Sequence, residues 1–204
     1  MRLIVSRKPL QRLLRGLQFG LFAAAFGMLG WCGFVLLDAW SFQKSQVRQL
    51  DRLIVERIAS PVPPLNLPPV ARGGLIGRIE IPRLGLSVIV MEGTGTATLR
   101  RAVGHIAGTA LPGQSGNVAI SGHRDTFFRP LRNIRENDVV TIATPFGEYR
   151  YRVVSTAIVS PSDVAVLQSG ATQTLTLVTC YPFYFVGAAP RRFIVRAERI
   201  QPTA

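Results

Sequence analysis

Residues 75–91 read LIGRIEIPRLGLSVIVM, two short apolar segments separated by a turn that contains proline and glycine. The first segment, Ile76–Ile81, alternates apolar residues with Gly77, Arg78 and Glu80, and the second runs from Leu86 to Met91. Short apolar segments bounded by turn residues are typical of β-strands. The stretch therefore predicts the first two strands of a β domain.

The same pattern continues toward the end of the chain, where turn residues separate further apolar segments. Five more strands are predicted: Asn117–Ser121, Val139–Thr144, Glu148–Val154, Leu175–Thr179 and Phe193–Ala197. Short helices are expected between strands, at Thr98–Val103 and Thr126–Leu131. Seven short strands with turn signals between them indicate a closed barrel or a sandwich, and about 130 residues suffice to bury its core.

The N-terminal part of the chain has a different composition. Five cations precede nineteen uncharged residues, Phe19–Leu37, enough to cross a hydrocarbon layer of about 30 Å. A cleavable signal peptide would have a shorter apolar region followed by a small-x-small site, and Leu36–Trp40 lacks that site. A buried core helix would not need the preceding cations or the aromatic Trp40 at the far boundary. The sequence therefore predicts an uncleaved signal anchor.

Five segments follow from these observations. They are a basic cytoplasmic segment over 1–15, a transmembrane anchor over 16–40, a helical stalk over 41–58, a Pro-rich linker over 59–74 and a β domain over 75–204. The linker contains five prolines within nine positions, a composition typical of a stiff, extended spacer. The bias of cations toward the N-terminal side predicts a single pass through the plasma (inner) membrane, with the β domain outside.

Charge and composition exclude several classes of protein. The chain has 24 basic and 11 acidic residues, a net charge of +13, with 48% hydrophobic residues and two cysteines. The hydrophobic content excludes a disordered chain, and two cysteines cannot form a disulfide framework. A basic chain can bind nucleic acid, an anionic membrane surface or an acidic substrate. The exterior location and the lack of an aromatic and basic motif argue against nucleic acid.

Three residues of the β domain have side chains suited to thiol chemistry. Cys180 is the only cysteine of the β domain and ends the apolar segment that begins at Leu175. His123 follows the apolar segment Asn117–Ser121, and Arg192 precedes the last predicted strand of the domain. A lone thiol is either an inert buried group or a nucleophile that nearby cations activate. An imidazole can transfer protons, and a guanidinium can stabilise an oxyanion. Spacing alone also allows a buried thiol, a capping histidine and a solvated strand end.

The segments that carry these residues resemble the sortases, which are membrane-anchored cysteine transpeptidases. Residues 176–180, TLVTC, resemble the TLxTC signature; residues 117–126, NVAISGHRDT, resemble the histidine segment; and residues 192–195, RFIV, resemble the strand that begins with the essential arginine. The order and separations of the three segments agree with the family. The compact linker between Cys180 and Arg192, which contains YPF at 181–183, is most similar to class D sortases.

This resemblance implies a mostly β fold, a closed eight-stranded barrel with short helices, preceded by one transmembrane helix. Cys180 would attack a threonyl carbonyl in a C-terminal LPxTG-like sorting motif and form a thioacyl-enzyme. His123 would transfer protons to and from the amines, and Arg192 would stabilise the oxyanion or hold the substrate backbone. Arg191 is the alternative candidate for the essential arginine. The register with the apolar strand that follows favours Arg192.

The resemblance also suggests substrate-binding roles for His105, as a groove residue, and for Thr179, beside the nucleophile. For His105 a structural role is the alternative, and it is the one we favour. The implied partners are secreted proteins with a C-terminal sorting signal, an amine acceptor of the cell envelope or of a second protein, and the lipid bilayer. The only two lysines are Lys8 and Lys44, so the β domain cannot supply a lysine acceptor. No cluster of metal-ligand residues is present, which predicts no metal or other cofactor. The alternatives are a cysteine hydrolase of envelope peptides and an inactive, membrane-tethered binding module.

Overall fold

The fold is taken from a computed structural model of the chain. It describes residues 7–59, 70–170, 172–185 and 187–201, with side chains from residue 11 onward. The start of the predicted basic segment, most of the predicted linker and the last three residues lie outside the described residues.

The described chain is mostly β, with one long helix at its start. The two helices are α1 (Arg7–Ala59) and α2 (Thr96–Arg101), and the strands are β1 (Leu75–Ile81), β2 (Leu86–Glu92), β3 (Val103–His105), β4 (Asn117–Gly122), β5 (Val139–Thr144), β6 (Gly147–Val159), β7 (Thr174–Tyr181) and β8 (Arg191–Arg199). Single 3-10 turns occupy Pro82–Leu84, Arg129–Asn133 and Val164–Leu167.

The eight strands form a closed barrel, which confirms the predicted fold class. The order around the barrel is β1-β2-β3-β4-β7-β8-β6-β5, with β5 paired to β1. The β2–β3 and β4–β7 pairs are parallel, and the other pairs are antiparallel. The sequence pattern left a sandwich open as well, and closure removes that alternative.

Alternate side chains of each strand fill the barrel interior. Val118 and Ile120 of β4 and Leu175 and Leu177 of β7 belong to one buried cluster with Val195 of β8. Because successive side chains of a strand point to opposite faces, the residues between them lie on the outer face of the barrel. This alternation decides which residues near the strand ends can meet a ligand outside the barrel.

All seven predicted strands are present, and the differences from prediction are local. The eighth strand, β3, was not predicted because it has only three residues and contains Gly104, so it shows no periodic pattern. The predicted helix Thr98–Val103 begins and ends two residues earlier, since Val103 pairs with Val90 as the first residue of β3. The second predicted helix appears as the 3-10 turn Arg129–Asn133.

Helix α1 includes an apolar window long enough to cross a membrane. The large apolar side chains of that window, among them Phe19, Phe26 and Leu36, are exposed in the protein alone. Exposed apolar side chains around a helix are typical of a segment that faces lipid. The chain divides into two compact units between Ser41 and Phe42.

The last part of α1, Phe42–Ala59, packs on the barrel within the second unit. Gln43 donates from Nε2 to the carbonyl of Arg101 at 2.6 Å and accepts at Oε1 from the amide of Ile89 at 2.9 Å. Phe42 packs against the same region of β2, and Leu50 is fully buried. The sequence suggested a plain stalk here, and the structure adds these contacts with the barrel.

We expect Leu50→Ala in the full-length chain to lower the free energy of unfolding by about 2–5 kcal/mol. The substitution removes a fully buried side chain and leaves a cavity between α1 and the structure beneath it. Val55→Ala is the control, because Val55 lies on the same helix and is 64% exposed. Denaturant unfolding of both variants in detergent would measure the difference, and equal stabilities would contradict the packing described.

Candidate active site

Three neighbouring strands carry the three residues that the sequence singled out. Strand β7 lies between β4 and β8 in the barrel. Gly122 at the end of β4 is opposite Thr179, and Arg192 of β8 is opposite Cys180. His123 follows Gly122 directly and so lies at the level of Cys180. The parallel pair of β4 with β7 and the antiparallel pair of β7 with β8 therefore bring the three residues to one end of the barrel.

Cys180 and Arg192 project from the same outer face. Opposite residues of an antiparallel pair have Cα atoms about 4.5–5.5 Å apart and share a face. Leu175 and Leu177 point into the core, so alternation along β7 turns Cys180 outward. Both Cys180 and Arg192 are half-buried. A thiol and a guanidinium in this arrangement can both approach one carbonyl of a peptide bound on the outer face.

The position of His123 is set by the turn that follows β4. The carbonyl of His123 accepts a hydrogen bond from the amide of Phe128 at 3.0 Å, while its side chain is exposed. A Cβ atom at Gly122 would lie 2.7 Å from the Phe128 ring, so only glycine allows this close approach. The turn therefore holds the histidine backbone and leaves the imidazole open to a ligand.

The register also separates Arg192 from its neighbour Arg191. Arg191 is opposite Tyr181 and is exposed, so alternation turns it away from the face of Cys180. Arg192 donates from Nη1 to the carbonyls of Ala189 at 3.2 Å and Arg191 at 3.0 Å. These bonds hold one terminal nitrogen of Arg192 near the strand end on the nucleophile's face.

The surface beside the three residues is uncharged. Two residues from the site residues along each strand, toward the middle of the barrel, Ser121 is opposite Val178, and Val178 is opposite Ile194. All three lie on the outer face by the same alternation. Ser121 and Val178 are half-buried, whereas Ile194 is 5% exposed, so the first two are the side chains of this row that a ligand on the outer face can contact.

A buried amide anchors the loop that connects β6 to β7. Asn117 is fully buried and donates from Nδ2 to the carbonyl of Val166, in that loop, at 3.2 Å. Its Oδ1 accepts from the hydroxyls of Thr176 at 2.8 Å and Thr174 at 3.2 Å. The sequence analysis did not single out Asn117, although a polar residue that opens an apolar strand is a signal for it.

Thr179 is placed differently from the sequence expectation of a substrate contact. Its side chain is buried, on the inner side of β7, and its Oγ1 donates to the carbonyl of Gly122 at 2.7 Å. The reason is alternation, because the residue next to an outward-facing nucleophile faces inward. Thr179 therefore links β7 to β4 just before Cys180 and His123.

His105 also lies away from the open surface expected of a groove residue. It is 2% exposed, with Nδ1 at 2.7 Å from Oε2 of Glu92. Its Nε2 lies 2.9 Å from Oγ1 of Thr109 and 3.0 Å from the carbonyl of Ala110. Both ring nitrogens thus have partners within the protein, which favours a structural role over the groove role.

We expect Thr179→Val to lower the free energy of unfolding by about 1–3 kcal/mol, because a buried carbonyl loses its donor. Turnover should fall as well, since the offset between β4 and β7 sets the distance from His123 to Cys180. Thr179→Ser is the matched control, as it keeps the hydroxyl. Denaturant unfolding and steady-state kinetics would compare the two, and indistinguishable variants would show that the bond has no positioning effect.

Among the residues that the structure describes, no group of three or more His, Cys, Asp or Glu side chains could hold a metal ion.

Comparison with known proteins gives consistent matches over the β domain. A family model described as a Sortase domain matches residues 79–200. Sortase D of Bacillus subtilis is 35% identical over 129 residues, which cover 63% of this chain and 65% of that protein. Sortase SrtE1 of Streptomyces coelicolor is 32% identical over 123 residues, which cover 51% of this chain and 35% of that protein. The chain thus spans less than two thirds of the length of these relatives.

Solved structures show the same similarity. A Clostridium perfringens Sortase D5 transpeptidase superposes with a TM-score of 0.67 at 26% identity, over 79% of this chain and 99% of that chain. The SrtA sortase of Actinomyces oris superposes with a TM-score of 0.60 at 29% identity, over 68% of this chain and 86% of that one. The matches to Sortase D proteins support the similarity to class D.

Proposed function

Because the chain belongs to the sortase family, we propose that it is a membrane-anchored cysteine transpeptidase. It cleaves a C-terminal LPxTG-like sorting motif through a thioacyl-enzyme and transfers the protein to an amine acceptor of the cell envelope. The observation that carries this proposal is the register of three strands, with Arg192 opposite Cys180 and His123 just beyond the Gly122–Thr179 pair.

In the first half of the reaction, the sulfur of Cys180 attacks the carbonyl of the threonine in the motif. The attacking form of a cysteine is the thiolate. Negative charge develops on the carbonyl oxygen, where the guanidinium of Arg192 stabilises it. The C–N bond breaks, and the departing amine takes a proton from His123. A thioester between Cys180 and the substrate remains.

In the second half, an acceptor amine attacks the thioester and gives its proton to His123. The C–S bond breaks, the sulfur of Cys180 leaves as the thiolate, and a new amide bond joins the substrate to the acceptor. His123 serves as acid in one half and base in the other, which returns the enzyme to its starting protonation. The β domain has no lysine, so its own side chains do not compete as acceptors.

The domain organisation supports a place for this reaction at the outer side of the plasma membrane. We assign residues 1–15 to the cytoplasm, residues 16–40 to the membrane, and residues 41–74 to a stalk and linker before the catalytic domain. The apolar window of α1 is long enough to span, and the cations before it keep the N-terminus inside. Secreted proteins with a sorting signal are then the substrates.

The experiment is amine-dependent transfer by the full-length chain in detergent. Peptides with an LPxTG-like motif or a scrambled motif are incubated with and without triglycine, and the products are identified by mass. We expect a peptide–triglycine product from the motif peptide alone. Hydrolysis as the only reaction in the presence of triglycine would replace this function with that of a cysteine hydrolase, and no acyl-enzyme at all would indicate a binding module.

A further inference from the structure

Arg124, the residue after His123, contacts the loop that joins β7 to β8. This β7–β8 loop comprises residues 182–190, of which 186 lies outside the described residues. Arg124 donates from Nη2 to the carbonyls of Phe185 at 2.7 Å and Gly187 at 3.0 Å. Its guanidinium carbon lies 5.8 Å from the centre of the Phe185 ring. One side chain thus binds the loop through two carbonyls and a ring face.

The far end of the same loop contacts the candidate catalytic arginine. Arg192 donates from Nη1 to the carbonyl of Ala189 at 3.2 Å, only two residues beyond Gly187. Arg124, the neighbour of His123, therefore holds the loop at Gly187, and Arg192 holds it at Ala189. Hydrogen bonds at two points of the loop, joined by the backbone of residues 187–189, thus link the histidine turn to the guanidinium opposite Cys180.

Arg124 is half-buried, and one of its terminal nitrogens is enclosed. Its Nη1 atom is buried and has no acceptor among the described residues. Burying a donor without a partner costs free energy, so an exposed and fully solvated arginine would be the more stable choice for this turn. The two bonds to loop carbonyls and the contact with the Phe185 ring offset part of this cost.

We infer that Arg124 is a positioning residue for the transfer reaction. It holds the β7–β8 loop against the histidine turn and thereby fixes Arg192 relative to Cys180. This inference rests on the proposed function, since it assigns Arg124 a role in that reaction. Arg124 acts through Arg192 and does not itself touch the reacting atoms.

A second arginine of the same region provides a matched control. Arg132 donates to the hydroxyl of Tyr184, and its guanidinium carbon lies 5.4 Å from that ring. Tyr184 is 77% exposed, and the contact involves no loop carbonyl. Arg132 therefore contacts the same loop without holding its backbone.

The test compares Arg124→Ala and Arg132→Ala in the full-length chain, with and without Arg192→Ala. Because small misplacements of catalytic groups cost up to about 100-fold in rate, we expect Arg124→Ala to lower the single-turnover rate of acyl-enzyme formation by about 10- to 100-fold. Arg132→Ala should stay within about twofold of the unsubstituted chain. In the Arg192→Ala background, Arg124→Ala should change the rate by no more than about twofold.

Two further measurements keep the result decisive. Arg124→Lys keeps the charge but cannot span two carbonyls in the planar geometry of a guanidinium, so it should lose activity, less severely than Arg124→Ala. If Arg124→Ala does not fold, this variant takes its place in the comparison. Amide hydrogen exchange of residues 183–192 should increase in the Arg124 variants and stay unchanged in Arg132→Ala, a readout that does not depend on activity.

Equal losses from Arg124→Ala in both backgrounds would overturn the inference, as would full activity of the Arg124 variants or an equal loss from Arg132→Ala. These outcomes are distinct from failure of the proposed function, in which the unsubstituted chain itself would form no transfer product.

Discussion

We expect Cys180→Ala to lower the rates of acyl-enzyme formation and of transfer by at least about 1,000-fold, because Cys180 is the proposed nucleophile. A covalent intermediate needs an atom that can form and release the acyl bond, and a methyl group cannot do so. Loss of a nucleophile costs activity on this scale because the remaining groups act only together with it. The measurement is the mass of the enzyme after mixing with motif peptide, together with the yield of transfer product.

The other cysteine provides the matched control. Cys32 lies in the apolar part of α1, so Cys32→Ala removes one thiol from the chain and leaves the barrel intact. We expect this variant to form acyl-enzyme at the rate of the unsubstituted chain. Thermal unfolding would verify that Cys180→Ala keeps its fold. Transfer product from a folded Cys180→Ala variant would refute the mechanism.

The second large effect concerns the two adjacent arginines at the start of β8. We expect Arg192→Ala to lower kcat/KM by about 100- to 1,000-fold, the range found for removal of one oxyanion donor. Arg191→Ala is expected to remain near the activity of the unsubstituted chain, because Arg191 is exposed and pairs with Tyr181 rather than with Cys180.

Steady-state kinetics of Arg191→Ala, Arg192→Ala and Arg192→Lys with one motif peptide would measure this difference. The lysine variant should recover only part of the loss, since an ammonium group lacks the planar fork of a guanidinium. A larger defect in Arg191→Ala than in Arg192→Ala would reverse the assignment and show that the strand register does not select the functional arginine.

The sequence predicted most of the barrel because its strands are short, apolar and separated by glycine and proline. Local patterns of this kind do not specify which strands pair. The juxtaposition of Cys180 with His123 depends on a parallel pair between β4 and β7, whose members are more than fifty residues apart. A short strand such as β3 also has too few residues to show a period, so it was found only in the structure.

The same limit explains what the sequence missed at the site. Thr179 stands next to the nucleophile in the chain, yet the alternation of a strand places it on the other face, where it bonds Gly122. His105 stands among glycines that suggest an open loop, yet it is buried beside Glu92. Arg124 gave no signal of its own, because its carbonyl partners belong to a loop some sixty residues further along the chain.

His123 is exposed and Cys180 is half-buried, so water as well as an amine would be able to reach the proposed thioester. The opening that admits an incoming amine admits solvent equally well, so the fate of the intermediate depends on kinetic partition between the two. Faithful attachment then requires the acceptor to be present at high local concentration before the intermediate decays. When the acceptor is scarce, we expect water to hydrolyse the thioester and the substrate protein to be released without attachment.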